Sequence, residues 1–584
     1  MRNGVRLAAS SCSLVVIWPN LRCFYSIAQN TDLRLHEVKC TVARGRAKGL
    51  ALRSCTTKLG RTLAGLTLIS AVGCVLCAQS PEVGNRKKLI FHDIRTDAQG
   101  HIIPWYADNP GTAYDHVLGL LWRYWKYMPN FSSNDEEFHR RYRATAGVKK
   151  YFVFRTLDEP GVGGDQFAMM LSSWSLYYAY SGNPEVLEDM RNEADLYIAN
   201  GFSSSTAAWP NIPYPCNTKK LAVYDGDLVA GKGYTQPDKA GSFGAELVAL
   251  YKITGDRKYL DVARAIADTL ASRVQSGDND HSPLPYRVHA ETNEVRDAYT
   301  SNWTGTLRLF EGLIGLHEGN TDCYRKAHTT ISEWLKQYPL KTNKWGPFFE
   351  DVGNWSDTQI NAGTLAWYIL EHPEWDPDWR TDVRGIQDWV LKTLGLDYWK
   401  RYGPTIIGEQ TVYKVQGQSH TSRHASVELR YAEQSGDTSR KEEAVRQLNW
   451  ATYMVDDDGK NWYPNFELQE IWWTDGYGDY VRHYLRAMGA APELAPPGQN
   501  HLLRTTSVCR KVEYQPRRVA YDTFDDSGEE VLRLVSRPRA VRCGGRPLPY
   551  RKGPAEEGWG WEPLSSGGVL RLSRKGSNRV EVIL

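Results

Sequence analysis

Four times this chain places a Gly directly before an Asn or Asp between two helix-patterned stretches, at Gly182-Asn183, Gly255-Asp256, Gly319-Asn320 and Gly436-Asp437. Gly supplies the left-handed residue that ends one helix, and the Asx side chain caps the next. Each pair therefore marks the middle of a helical hairpin. Apolar periodicity supports this, most clearly at Phe243, Leu247, Leu250 and Tyr251, then Leu260, Ala263, Ile266, Ala267 and Leu270. Similar paired patterns run over roughly 165–200, 303–338, 357–395 and 422–456. A single helix near 115–128 precedes the five hairpins and another near 478–488 follows them, which makes twelve helices and predicts six hairpins closed in a ring. The expectation is a mainly α fold, an (α/α)6 toroid, with a small C-terminal β domain.

Domain boundaries follow from the texture of the chain. Residues 113–498 carry the helical pattern. Residues 501–584 hold short β-prone segments such as Val531–Leu534 and Val569–Leu572, separated by Gly and Ser turns. Residues 79–112 form an N-terminal extension. Residues 1–78 read as a start assigned too early followed by an export signal: Arg53, Lys58 and Arg61 precede an apolar run from Leu63 to Leu76. That run is too short to span a bilayer, and no other segment is long enough. Ala71-Val72-Gly73-Cys74 resembles a lipoprotein cleavage box, which would place a lipid anchor at Cys74; cleavage near Ala78 is the alternative. An exported protein, periplasmic or extracellular, is the expectation.

Charge is segregated. Of 71 Lys/Arg and 68 Asp/Glu, 11 and 2 precede residue 79, a balance of +9 that leaves the remainder at −6. A mildly acidic body without a basic cluster argues against nucleic acid as the ligand. Six of ten cysteines also precede residue 79, and the body has no CxxC motif. Cys509 and Cys543 are read either as a disulfide or as two free thiols.

The chemistry-bearing residues stand in the loops that lead into each hairpin. These are Gly163 to Gln166 with Asp165, Gly233 to Lys239 with Tyr234 and Asp238, and Tyr299 to Trp303 with Asn302. The later ones are Phe348 to Asp357 with Glu350 and Trp355, Ser419 to His424 with His420 and Arg423, and Trp472 to Asp479 with Trp473 and Asp475. In a hairpin ring every first helix runs the same way, so these loops share one mouth. Asp165, Asp357 and Asp479 serve equally well as helix caps. Asp278 and Asp280 alternate like a calcium loop without a full EF-hand pattern, so a structural calcium competes there with an Asp-rich turn; no other cofactor is implied.

Helical hairpins in six copies, aromatic-acidic entry loops and a C-terminal β domain resemble the six-hairpin glycosidase superfamily over about 115–490. The resemblance is architectural. It implies an oligo- or polysaccharide substrate and hydrolysis by two carboxyl groups or, in related toroids, β-elimination. Hydrolysis needs a protonated acid and an ionised base or nucleophile. Glu350 is the candidate acid, because Trp345, Phe348 and Phe349 surround it in sequence and an apolar setting raises a carboxyl pKa. Asp238 is the candidate base, with Asp357 and Asp475 in reserve. Trp303, Trp355 and Trp473 would stack on sugar, and His420 and Arg423 would bind hydroxyls or a carboxylate. For a lyase acting on a uronate glycan, Tyr234, Asn302, His420, Arg423 and His424 would supply the base and the neutralising groups. A glycan-binding protein without catalysis is the third reading.

Overall fold

The computed structural model describes residues 15–18, 21–24, 88–89, 92–127, 164–216, 218, 224–461, 479–551 and 556–584. The chain divides into two units, Met1–Ser80 and Pro81–Leu584. In the first, Val15–Trp18 pairs antiparallel with Leu21–Phe24. The residues read as export signal and lipid anchor, Arg53 to Ala78 with Cys74, lie outside the described residues.

In the second unit, twelve long helices are described: α1 Pro110–Tyr127, α2 Gly164–Ser181, α3 Glu185–Asn200, α4 Pro237–Thr254, α5 Arg257–Ala271 and α6 Thr304–Gly315. The rest are α7 Thr321–Gln337, α8 Gln359–Glu371, α9 Trp379–Leu394, α10 Gln418–Ser435, α11 Lys441–Thr452 and α12 Val481–Ala490. Helices α2, α4, α6, α8, α10 and α12 touch in that order, and α12 returns to α2, so six helices close an inner ring. Helices α3, α5, α7, α9 and α11 each pack outside their hairpin partner, and α1 packs against α11 and α12 to complete the outer layer. This is an (α/α)6 toroid.

Sequence texture separates the two layers. The outer helix α5 buries one stripe, Tyr259, Leu260, Ala263, Ile266, Ala267 and Leu270, and leaves Arg257, Lys258 and Asp261 in solvent. The inner helix α10 buries Gln418, Ser419, His420, Thr421, Ser422 and Arg423 in one run. Burying so many polar groups is costly unless they find partners, and His420 and Arg423 find theirs on the neighbouring inner helices, Gln359 and Asp479.

The four hinges take the conformation their sequence demands. Gly182, Gly255, Gly319 and Gly436 have φ of 70°, 74°, 72° and 79°. Asp256 accepts from the Lys258 amide at 3.1 Å and Asn320 from the Cys323 amide at 3.2 Å. The α8–α9 turn lacks this device and instead passes through Asp376 and Asp378.

Residues 501–584 form two antiparallel sheets. The strands are β1 His501–Thr505, β2 Cys509–Gln515, β3 Arg518–Thr523, β4 Gly528–Leu534, β5 Ala540–Cys543, β6 Arg546–Pro547, β7 Gly558–Pro563, β8 Gly568–Arg574 and β9 Arg579–Ile583. Their orders are β1-β4-β8-β7 and β2-β3-β9-β5-β6. Val519, Leu532, Leu570 and Val582 fill the space between them, joined by Ala179 of α2. Cys509 and Cys543 are separate buried thiols, bonded to the carbonyls of Lys511 and Ser577. Strands β1 and β2 pack on α2, α4 and α12, and Gly182 lies against Tyr514 and Val512 of β2. The hinge end of the ring is thus covered by the β region, and the opposite end carries the N-termini of the inner helices.

Candidate active site

Helix α4 opens with Pro237, whose fixed φ suits a first helical turn, and Asp238 follows. Asp238 is 0% exposed. One oxygen accepts from the Asn302 side-chain amide at 2.8 Å and from Lys239 Nζ at 3.2 Å. Its other oxygen is buried without a partner. Lys239 also donates to the Phe348 carbonyl at 2.7 Å and lies 3.1 Å above the centre of the Phe348 ring. Asn302 reaches Asp238 because α4 and α6 pack closely. A Cβ at Gly241 would collide with Thr306, and one at Gly305 with Ser242.

The loop 345–357 crosses this carboxylate. Arg287 holds it, donating from one terminal nitrogen to the carbonyls of Phe349 and Glu350 at 3.1 Å each, while its Nε binds Asp227 at 2.9 Å. The Tyr286 hydroxyl donates to the Phe349 carbonyl at 3.0 Å. Burial holds that phenol well above the usual tyrosine range, with the Arg287 guanidinium opposing and the Asp238, Asp227 and Glu350 carboxylates adding to it. One phenol therefore feels both candidate carboxylates. Glu350 is 6% exposed and directly follows Phe348 and Phe349, which pack with Met169 and Ile360 in a small apolar cluster.

On the far side of the mouth stands a chain of polar contacts from α8, α10 and α12. Arg423 donates to Gln359 Oε1 at 2.8 Å, which orients that amide so that its nitrogen faces His420 Nδ1 at 2.6 Å. Nδ1 is then the acceptor, and the proton on Nε2 faces Glu409 at 3.8 Å. The Phe349 ring meets the His420 ring edge-on at 6.4 Å. Arg423 also pairs with Asp479, which binds Arg482 and His483 as well. Burial opposes ionisation of Asp479, but Arg423, Arg482 and His483 hold its carboxyl well below the usual range.

Asp238, Asn302, Glu350, His420 and Arg423 are thus set around one mouth. Other sequence candidates are placed differently. Trp303 is 0% exposed and its indole N–H is bound to the Thr300 carbonyl, so it offers no face to a sugar; it is a core residue. Trp355 is 45% exposed, with Tyr299 beneath it at 5.2 Å and Lys344 at 4.9 Å. Asp357 accepts from the Trp345 and Gly346 amides at 2.8 Å each and from the Trp355 indole at 3.2 Å, so both its oxygens brace the loop. Tyr234 packs edge-on against His289 at 5.1 Å. His424 turns to the outer layer, where Gln447 lies 2.9 Å from its Nδ1, and burial lowers its pKa. Asp278 receives the Asp280 and His281 amides and the His281 ring, while Asp280 binds Lys344, so the two carboxylates diverge within an Asx turn. Asp165 opens α2, with its side chain outside the described atoms; Trp473 and Asp475 lie outside the described residues.

Sequence reasoning passed over Tyr286, Arg287, Gln359, Glu409 and Glu246. The buried polar run of α10 was the available signal, since its inward faces needed partners. Glu246 lies deeper in the ring, beside a cavity of about 70 Å³ that Lys239, Asn302, Arg308, Phe348 and Arg482 also line. Burial pushes Glu246 up to about 7 against the pull of Arg308, Arg482 and Arg486.

No family model and no curated protein matches this chain. Among solved structures, it is similar to a cellobiose 2-epimerase from Spirochaeta thermophila, at 14% identity over 57% of this chain and 86% of that one, with a TM-score of 0.44. It is similar to a family 76 glycoside hydrolase from a bovine Bacteroides thetaiotaomicron strain, at 14% identity over 66% and 78%, TM-score 0.41. An unsaturated glucuronyl hydrolase specific for heparin aligns at 10% identity over 66% and 99%, TM-score 0.39.

Proposed function

We propose that the protein is a carbohydrate-active enzyme that hydrolyses a glycosidic bond at the end of the ring that carries the N-termini of the inner helices. The observation that carries this is the Asp238 carboxylate, with one oxygen fixed by Asn302 and Lys239 and the other buried without a partner. A buried oxygen with no protein donor is unfavourable and is answered when a hydroxyl or a water comes to it. Asp238 is then the base that takes a proton from the attacking water, and Glu350, buried on the neighbouring loop, is the acid that protonates the leaving oxygen. Trp355 offers an exposed indole face at the rim, while His420 and Gln359 line the inner wall as hydrogen-bonding groups.

A second reading is β-elimination on a uronate, in which the chain from Arg423 through Gln359 fixes His420 with its Nε2–H as a donor that helps neutralise the carboxylate. The N-terminal basic and apolar segment supports an exported protein, either lipid-anchored at Cys74 or cleaved near Ala78. A panel of neutral and uronate-containing glycans, with product masses and ultraviolet absorbance recorded together, separates the two chemistries. Hydrolysis adds one water per cut. Elimination adds none and leaves an absorbing double bond.

A further inference from the structure

At its hinge end the ring encloses a second cavity, of about 210 Å³, closed by Leu502 to Thr505 of β1 and by Val508 and Cys509. Most of its wall is apolar, from Leu176, Ile253, Trp367, Leu485 and Leu503. Into this wall projects Arg486 of α12, whose guanidinium lies 4.5 Å over the Trp367 ring.

Among the described residues Arg486 has no carboxylate in contact, although Glu371, Asp479 and Glu246 all lie near enough to feel its charge. Glu371 is the nearest acidic candidate, but it is held by Arg308 at 2.5 Å and by the Trp367 indole at 2.6 Å. Arg504 on β1 is bound bidentate to Glu433, at 2.6 and 2.9 Å. Asp479 is shared by Arg423, Arg482 and His483. Among the described residues, no carboxylate comes within ion-pairing distance of Arg486. One turn earlier on the same helix face, Arg482 has a buried Nε–H with no acceptor. Burial and the neighbouring guanidinium of Arg482 lower the Arg486 pKa to about 9, with Arg308 adding to the repulsion and Glu371 opposing it. A half-buried guanidinium with no carboxylate in contact is unfavourable, and its donors at the wall of this chamber make a site for the missing negative charge.

We propose that a small monovalent anion, a halide or a short carboxylate, binds in this chamber against Arg486. It joins the inner helix α12 to the apolar chamber under β1. This site stands apart from the mouth and does not depend on the glycosidic reading.

The test uses the full chain, exchanged into sodium gluconate and titrated at constant ionic strength with sodium bromide in one arm and sodium formate in the other. The melting temperature should rise by several degrees and saturate, because a ligand that binds only the folded state stabilises it by mass action. A response to bromide alone assigns a halide, and a response to formate assigns a carboxylate. Arg486→Met should show no saturable rise, with a melting temperature at or above that of the anion-free wild type. A bromide-soaked crystal of the wild type should show an anomalous peak at Arg486, a readout independent of whether the variant folds. No saturable rise in either arm, an unchanged response in Arg486→Met, or a bromide-soaked crystal without that peak would overturn the proposal.

Discussion

The side-chain amide of Asn302 donates to Asp238 across the gap between two inner helices, at 2.8 Å, and leaves the second oxygen of that carboxylate open. Asn302 is a positioning residue in this arrangement. Asn302→Ala should lower kcat by roughly 10- to 100-fold with KM changed little. Asn302→Asp should also move the acidic limb of the kcat/KM profile upward by about one pH unit, since a second carboxylate opposes ionisation of Asp238. A purely structural role would lower both variants' melting temperatures and leave the limb in place.

The contact between α4 and α6 that makes this bond depends on Gly305. A Cβ there would meet Ser242. Gly305→Ala should cost about 1–3 kcal/mol of stability by overpacking. It should also reduce turnover more than a surface substitution of equal stability cost, because it separates Asn302 from Asp238. Urea melts and initial rates measured on the same preparations check both parts.

The two tryptophans in neighbouring entry loops should behave oppositely. Trp303→Ala empties a core position and should cost about 3–5 kcal/mol. Trp355→Ala exposes no cavity and should change stability by well under 1 kcal/mol, while KM for a glycan rises about tenfold. Denaturant midpoints and KM values together read this out.

Glu246 makes stability depend on pH. Its carboxyl ionises at about 7 in the folded protein against 4.5 as an ordinary glutamate. The fold holds this proton that the unfolded chain gives up, so stability falls as pH rises from about 4.5 to 7 and then levels. A shift of this size corresponds to about 3 kcal/mol at most. Glu246→Gln should remove that slope and be more stable than wild type at pH 8. Asp479 acts in the opposite sense. Its depressed pKa gives stability that is present above the ordinary aspartate range and lost as pH falls through the folded value. Asp479→Asn should therefore be destabilised at neutral pH. Equilibrium unfolding across pH 4–8 tests both residues.

The ring was legible in the sequence because its hinges are local. A Gly at positive φ followed by an Asx cap needs no tertiary information, and the direction of the first helices then places every entry loop at one end. Depth and rotation were not legible. Trp303 and Trp355 stand in equivalent loops, yet one faces the core and the other solvent, a difference set by how each loop crosses the ring. Glu246 looks in sequence like an ordinary surface position of α4, and only ring closure sets it among Arg308, Arg482 and Arg486. Arg287 was missed because its partners, Asp227, Asp297 and the carbonyls at 349–352, are distant in sequence.

The central claim is that Asp238 and Glu350 together cut a glycosidic bond with water. The direct measurement is product mass from a cleaved glycan in ¹⁸O-labelled water, for the wild type, Asp238→Asn and Glu350→Gln, each first shown to melt as a folded protein. The account predicts one labelled oxygen per cut for the wild type and a loss of at least about a thousandfold in rate for each variant. Unlabelled products with ultraviolet absorbance, or near-wild-type turnover in either variant, would contradict it.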